Sequence, residues 1–277
     1  MRPRLRRAIA IQSGNAFRRN VILFGDSPQI AGDKVGSFLM MERSDARSLE
    51  ILPSGAARFG FGLMVAFAAG WVDAIGFVSL GSFYLSFMSG NTTQLGVAIA
   101  GGDDATIWRG AAVIAAFFAG AVLGTLIADA ARLFRTPSLL AVETILFCAA
   151  IALTGLAPGF AALLPVAVAM GMQNGLRQMV GRADIGKSFV TGALFSAGQS
   201  LARAMTGKAP RGEWLVFLAT WFCFAAGAAG GAFSLAGSSL VANLGVMAGA
   251  FACLAFFTFL IALDARSSDH DFDPTAL

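Results

Sequence analysis

The stretch "YLSFMSGNTTQLGVAIAG", residues 84–101, decides the fold. Its ends are apolar enough to enter a bilayer, but its middle is Ser, Gly, Asn, Thr, Thr and Gln. Crossing as a helix would bury that polar middle. Entering, turning and leaving by the same face would reverse the topology of everything downstream. The choice between these depends on the sequence around it.

Hydrophobic residues make up 57% of the 277-residue chain and charged ones 13%. An ordinary soluble domain carries roughly 25% charged residues. The composition is that of a polytopic membrane protein. Apolar segments fall at 59–80, 84–101, 107–130, 138–157, 160–180, 188–206, 214–236 and 239–263. A spanning helix needs about 20 residues, which all but two supply comfortably. The segments 84–101 and 188–206 each open on a polar-interrupted, extended stretch and then turn helical.

The two halves echo each other in order. "SFMSGNTTQLG" (86–96) resembles "SFVTGALFSAG" (188–198), and "GWVDA" (70–74) lies opposite "GMQNG" (171–175). Trp108, Gly120 and Gly124 match Trp214, Gly227 and Gly231; "SLLAVE" (138–143) matches "SSLVAN" (238–243). These matches pair Asp73 with Asn174 and Glu143 with Asn243.

Positive charge gives the orientation, because cytoplasmic loops are enriched in Lys and Arg. Ten of the twenty Lys and Arg lie at or before Arg58, which puts the leader inside. If all eight segments cross, the ten later basic residues divide evenly between the two sides. If 84–101 and 188–206 re-enter, only Arg109 is outside. The lengths permit this. Extended at about 3.3 Å per residue, 82–89 covers about 26 Å, and a helix over 91–101 returns about 16 Å. The expected fold is an all-α polytopic membrane protein. It has two inverted repeats, about 58–157 and 158–264, with six spanning helices plus two re-entrant or broken helices. Eight spanning helices is the alternative. A basic leader (1–57), expected to be disordered, and an acidic tail (265–277) would both be cytoplasmic, at a bacterial inner membrane. Met40 or Met41 is the expected translation start.

Irregular backbone at membrane depth must be enclosed by protein or line a wet cavity. Two short helices beginning there present positive N-terminal ends, which suit an anionic or strongly polar solute. The expected substrate-binding residues are Asp73, Ser89, Gly90, Asn91, Thr92, Thr93 and Gln94 from the first repeat, and Gln173, Asn174, Thr191 and Gly192 from the second. Gly90 and Gly192 would permit a sharp turn and close approach. Helix capping alone would also account for the polar groups. Asp73, deep in the first span, needs a partner, water or a proton. It is the first candidate for proton coupling, although a purely structural acid fits equally. Glu143 is the second, placed nearer the cytoplasmic face within reach of water or Arg135. Arg177 reads as interfacial.

Other motifs exclude function classes. "GRADIGKS" (181–188) fits the P-loop pattern, but it follows a membrane helix and lacks the strand and sheet that a P-loop needs; it reads as a cytoplasmic turn. Cys148, Cys223 and Cys253 lie in apolar runs and read as packing residues. His270 is the only histidine. No nucleophile–base pair, metal set or cofactor motif is present, so an enzyme is not expected. The leader lacks a frame to present its charges to nucleic acid; anionic lipid headgroups suit it better. Gly120-x-x-x-Gly124, Gly227-x-x-x-Gly231 and Gly245-x-x-x-Gly249 read as helix contacts.

"AGWVDAIGFVSLGSFYLSFMSGNTTQLG" (69–96), with "GMQNGLRQMVG" and "FVTGALFSAGQ", resembles the YoaK family, bacterial integral membrane proteins grouped as a domain of unknown function. The likeness covers about 58–264. It implies a multi-span inner-membrane protein and supplies no substrate or catalytic residue.

The function these features suggest is a secondary transporter or permease for a small polar, anionic or neutral, solute, with proton coupling. The alternative is a non-transporting scaffold that binds lipid or a partner protein. Membrane lipids and the solute are the expected partners, and a homo-oligomer is left open.

Overall fold

The computed structural model describes residues 54–156, 159–176, 179–180, 183–184 and 190–270. Eight α-helices are found among them: α1 (Gly55–Ser79), α2 (Met88–Gly101), α3 (Asp104–Ala131), α4 (Arg135–Leu156), α5 (Leu164–Gln173), α6 (Val190–Met205), α7 (Glu213–Gly237) and α8 (Leu240–His270). The only strands described are β1 (Met179–Val180) and β2 (Ala183–Asp184), an antiparallel pair. The leader before Ser54, the tail after His270, Arg177 and most of "GRADIGKS" lie outside the described residues.

Four stretches are long and apolar enough to cross a membrane: 55–79, 104–156, 213–237 and 240–267. The second is not one rod. Arg132 takes a positive φ of 46° and opens a 3-10 turn over Arg132–Phe134, which breaks the run into α3 with 28 residues and α4 with 22. Each alone exceeds the roughly 20 residues of a span. Large apolar side chains face outward from these helices, Trp108 at 76% exposure and Phe233 at 79%. A water-soluble protein would not expose so many, and lipid accounts for them. The chain is a helical membrane protein.

The shorter helices behave differently. At about 1.5 Å per residue, the 14 residues of α2 and the 16 of α6 reach about 21 and 24 Å. The hydrocarbon core is about 30 Å thick. The fifth apolar segment, expected to stay helical to 180, stops at Gln173. The amide N–H of Gly175 donates to Met172 O (2.8 Å) and that of Leu176 to Gln173 O (2.9 Å). The Asn174 side chain turns back onto Met170 O (3.1 Å). Tight i→i+3 turns and an Asn-Gly pair end the helix where hydropathy alone would extend it.

After α1 the chain doubles back. Gly81 and Ser82 take positive φ, 72° and 75°, and make the turn. The returning segment lies against α1, with the Tyr84 ring 5.3 Å from Phe77 and the Leu85 side chain over Gly76, which has no Cβ to block it. At Leu85 and Ser86 it reaches Asp73, seven residues or about 10 Å back along the helix. Only then does α2 begin, and it runs alongside α3, with Leu95 packed on Gly110. The turn expected at Gly90 therefore sits at Gly81–Ser82. Gly90 is helical, and its missing side chain makes room for the rings of Phe87 and Tyr84. The helix also starts at Met88, earlier than the expected 91.

Helix pairs α1–α7 and α3–α5 cross with backbones touching. A Cβ on Gly70 would lie 2.1 Å from Phe224 O, and one on Gly227 2.0 Å from Phe67 O. A Cβ on Gly171 would lie 2.0 Å from Phe117 O, and one on Gly120 2.0 Å from Val168 O. The two crossings thus use corresponding glycines, Gly70 with Gly171 and Gly120 with Gly227. Gly124 and Gly231 add a second contact to each. Gly245 and Gly249, expected to behave likewise, face open space. Cys223 packs as expected, its thiol donating to Leu63 O (3.2 Å), but Cys148 and Cys253 are exposed on outer helix faces.

Candidate functional site

Asp73 is 3% exposed and both carboxylate oxygens are occupied. Oδ1 accepts from the backbone N–H of Leu85 (2.9 Å) and Ser86 (2.6 Å); Oδ2 accepts from Ser86 Oγ (2.8 Å). The carboxyl therefore satisfies buried backbone that would otherwise be orphaned. It also sets a carboxyl group just ahead of the start of α2. Asn91, fully buried, works from the other side. Its Oδ1 accepts from Tyr84 N–H (2.9 Å) and its Nδ2 donates to Tyr84 O (2.7 Å), as a neighbouring β-strand would. Gln94 donates to Ser82 O. Asp73, Asn91 and Gln94 are thereby held against the returning segment.

Thr92 and Thr93 are exposed and bond back into their own helix, to Met88 O (2.9 Å) and Ser89 O (3.1 Å).

Four of the expected residues do meet. A cavity of about 760 Å³ is lined by Ser86, Phe87, Met88 and Ser89 at the start of α2, and by Val190, Thr191 and Gly192 at the start of α6. Phe117, Asn174 and Phe195 complete its wall. The first turns of the two short helices open into one space, about the size of a small-molecule site. Ser89, Asn174, Thr191 and Gly192 line it. Asp73, Gly90, Asn91, Thr92, Thr93, Gln94, Gln173 and Glu143 do not. Ser86 and the aromatic wall were not expected. Ser86 opens the same Ser-Phe-x-[Ser/Thr]-Gly motif as Ser89, and Phe117 precedes the crossing glycine Gly120 by less than one turn.

Glu143 is not placed where it was expected. It reaches neither water nor Arg135, which donates instead to Gly175 O (3.4 Å). Its side chain is fully buried, and neither oxygen has a hydrogen bond of ordinary geometry. The Gln173 amide is the one polar group acting on it, and Gln173, 1% exposed, is equally without a well-formed bond. Depth explains the error. Glu143 lies eight residues, about 12 Å, along α4 from Arg135, on the face packed against α5 and α8.

Comparison with known proteins matches residues 61–260 to the family described as "Protein of unknown function (DUF1275)". The UPF0700 transmembrane protein RA0705 of Rhizobium meliloti (strain 1021) is 34% identical over 168 residues, covering 61% of this chain and 72% of the relative. The UPF0700 transmembrane protein YoaK of Bacillus subtilis (strain 168) is 28% identical over 140 residues, 48% of this chain and 62% of the relative. No solved structure gives a significant match. With most of its length matched, and helices built as described, the chain belongs to the DUF1275 family of membrane proteins with unknown function.

Proposed function

We propose that this protein is a secondary transporter or permease for a small polar solute, and that the solute binds between the starts of α2 and α6. The observation that carries this reading is the cavity of about 760 Å³ joining Ser89 on α2 to Asn174 after α5 and Thr191 on α6. The topology that goes with it has six crossing segments and two re-entrant ones, α2 and α6. The two halves form inverted repeats, and both termini are cytoplasmic at the bacterial inner membrane. The doubling back of the chain along α1 supports re-entry of α2. The matched glycine crossings support the repeat. Transporter sites of this plan lie near the midplane, where broken helices present their ends. The hydroxyl and amide groups of Ser86, Ser89, Asn174 and Thr191 would orient a solute within a lining that is otherwise apolar, an arrangement that suits translocation.

The charge balance bears on the solute. The α2 end already faces the Asp73 carboxylate. The α6 end has no acidic residue in its first turn and Asn174 at the position corresponding to Asp73. An anionic group on the solute would sit toward α6, and a hydroxyl or amide toward Ser86 and Ser89. A screen of polar metabolites against the melting temperature of the purified protein tests this. A compound of this class should raise it, and Thr191→Val or Ser89→Ala should abolish the shift. A shift of full size in both variants would place the ligand elsewhere and sink the assignment.

The scaffold reading rests on a separate observation, the open face at Gly245 and Gly249. Small residues with nothing against them suit a partner helix. Specific co-purification of a membrane protein, lost in Gly249→Leu, together with no solute flux, would favour it.

A further inference from the structure

The geometry points to Glu143 as the proton-carrying group of this protein, with Gln173 linking it to the cavity; the link to the cavity rests on the function proposed above. Asp73 is poorly placed for that role. Its oxygens hold Leu85 and Ser86, so loading a proton on Oδ2 would require the Ser86 hydroxyl to turn from donor to acceptor and would weaken the anchor of the returning segment. Glu143 has the opposite character. It is fully buried, both oxygens lack a well-formed partner, and nothing in the fold depends on their being charged.

Its surroundings decide what it can do. Helices α3, α5 and α8 pack on α4. Asp104, Arg109 and Asp129 on α3, Asp264 and Arg266 on α8, and Arg135 on α4 itself do not act on Glu143. Helix α5 has no titratable side chain. Gln173 is the only polar neighbour acting on it among the described residues. A carboxylate in such a place has no counter-charge and is costly to keep ionised. As a neutral acid it can donate to the Gln173 amide oxygen. Ionised, it can accept from the Gln173 amide nitrogen. Gln173 can serve both states by rotating its amide, and the next residue, Asn174, lines the cavity. A solute that draws on Asn174 pulls on the turn that positions Gln173. Ionisable residues inside a membrane domain are expensive to keep, and proton relays are among the functions they serve.

Infrared spectroscopy of the full-length protein in lipid tests the assignment without any solute, so its result is independent of whether the cavity transports anything. The carboxylic-acid stretching band should titrate with pH in the natural protein. Glu143→Gln should remove one titrating acid from that band, and Asp73→Asn should not remove the same component. Gln173→Leu should keep the component but move it toward the frequency of an acid without a hydrogen-bond partner. That shift guards against a Glu143 variant that merely misfolds. An unchanged band in a folded Glu143→Gln protein would overturn the proposal. An unmoved component in Gln173→Leu would overturn the link to the cavity.

Discussion

The passage from α1 to α2 and the residues at the end of α5 and the start of α6 have similar sequence and use their polar residues differently. In the first, Asp73 is spent on backbone, with both oxygens occupied by Leu85 and Ser86. In the second, the corresponding Asn174 lines the cavity. The lesson is that similar stretches of sequence can be put to different uses in one molecule. One is pinned by a buried carboxyl, and the other presents an amide to the cavity.

The most direct way to break this comparison is to truncate both residues. Asp73→Ala leaves two buried backbone N–H groups and a serine hydroxyl without acceptors, at roughly 1–3 kcal/mol each. The expected result is severe loss of folded protein, read as yield of monodisperse protein in detergent and as melting temperature. Asn174→Ala should cost about 1 kcal/mol or less and affect the cavity instead. Equal damage from both would mean that the two halves are pinned alike.

The glycine crossings should show the halves behaving as equals. Gly70→Val strikes Phe224 O, and Gly171→Val strikes Phe117 O, at nearly the same distance. Overpacking of this kind costs about 1–3 kcal/mol, so each variant should lower the melting temperature by a similar amount. A large difference between them would argue that α1–α7 and α3–α5 are not corresponding contacts.

This division also explains what could be read in the sequence. The crossing glycines and the Ser-Phe-x-[Ser/Thr]-Gly motifs were legible because backbone contact demands one residue type at fixed spacing. The convergence of Ser89, Asn174, Thr191 and Gly192 followed from placing two short helices in one membrane domain. The fate of Asp73 and Asn91 did not, because sequence shows that a polar group is buried but not which donors it meets. Glu143 was misjudged by counting from the nearest arginine along the helix without knowing which face α5 and α8 would cover. The early end of α5 was hidden by apolar residues that continue past Asn174 and Gly175.

A smaller difference lies where the short helices hand over to the next span. Ser200 on α6 donates to Glu213 Oε2 on α7 (2.9 Å), but α2 has Ala98 at the corresponding place and no such tie to α3. Ser200→Ala should therefore loosen the contact of α6 with α7 by about 1 kcal/mol. Faster hydrogen exchange in α6 with α2 unchanged would show it. Exchange that rises in both helices would mean that α2 and α6 move together.

The handover from α2 to α3 is secured by a cap. Helix α2 ends on Gly102 at φ 67°, and Asp103 then caps α3, accepting from Thr106 N–H (3.1 Å) and Thr106 Oγ1 (2.5 Å). Those bonds, the hydroxyl first, hold the Asp103 carboxyl below its ordinary range. The sign of the pH effect follows. A depressed carboxyl stabilises the fold at every pH above the unfolded-state value, near 4, and the contribution fades as pH falls through the lower folded-state value. At neutral pH the cap is fully in force, so Asp103→Ala should lower the melting temperature there. In strong acid the variant and the natural protein should converge. Because Asp103 is exposed to water, this is the smallest effect of the set. There is no side-chain cap at Gly212, ahead of α7, so a substitution there should show no such convergence. A pH-independent loss in Asp103→Ala would mean that the cap works through its shape and not through its charge.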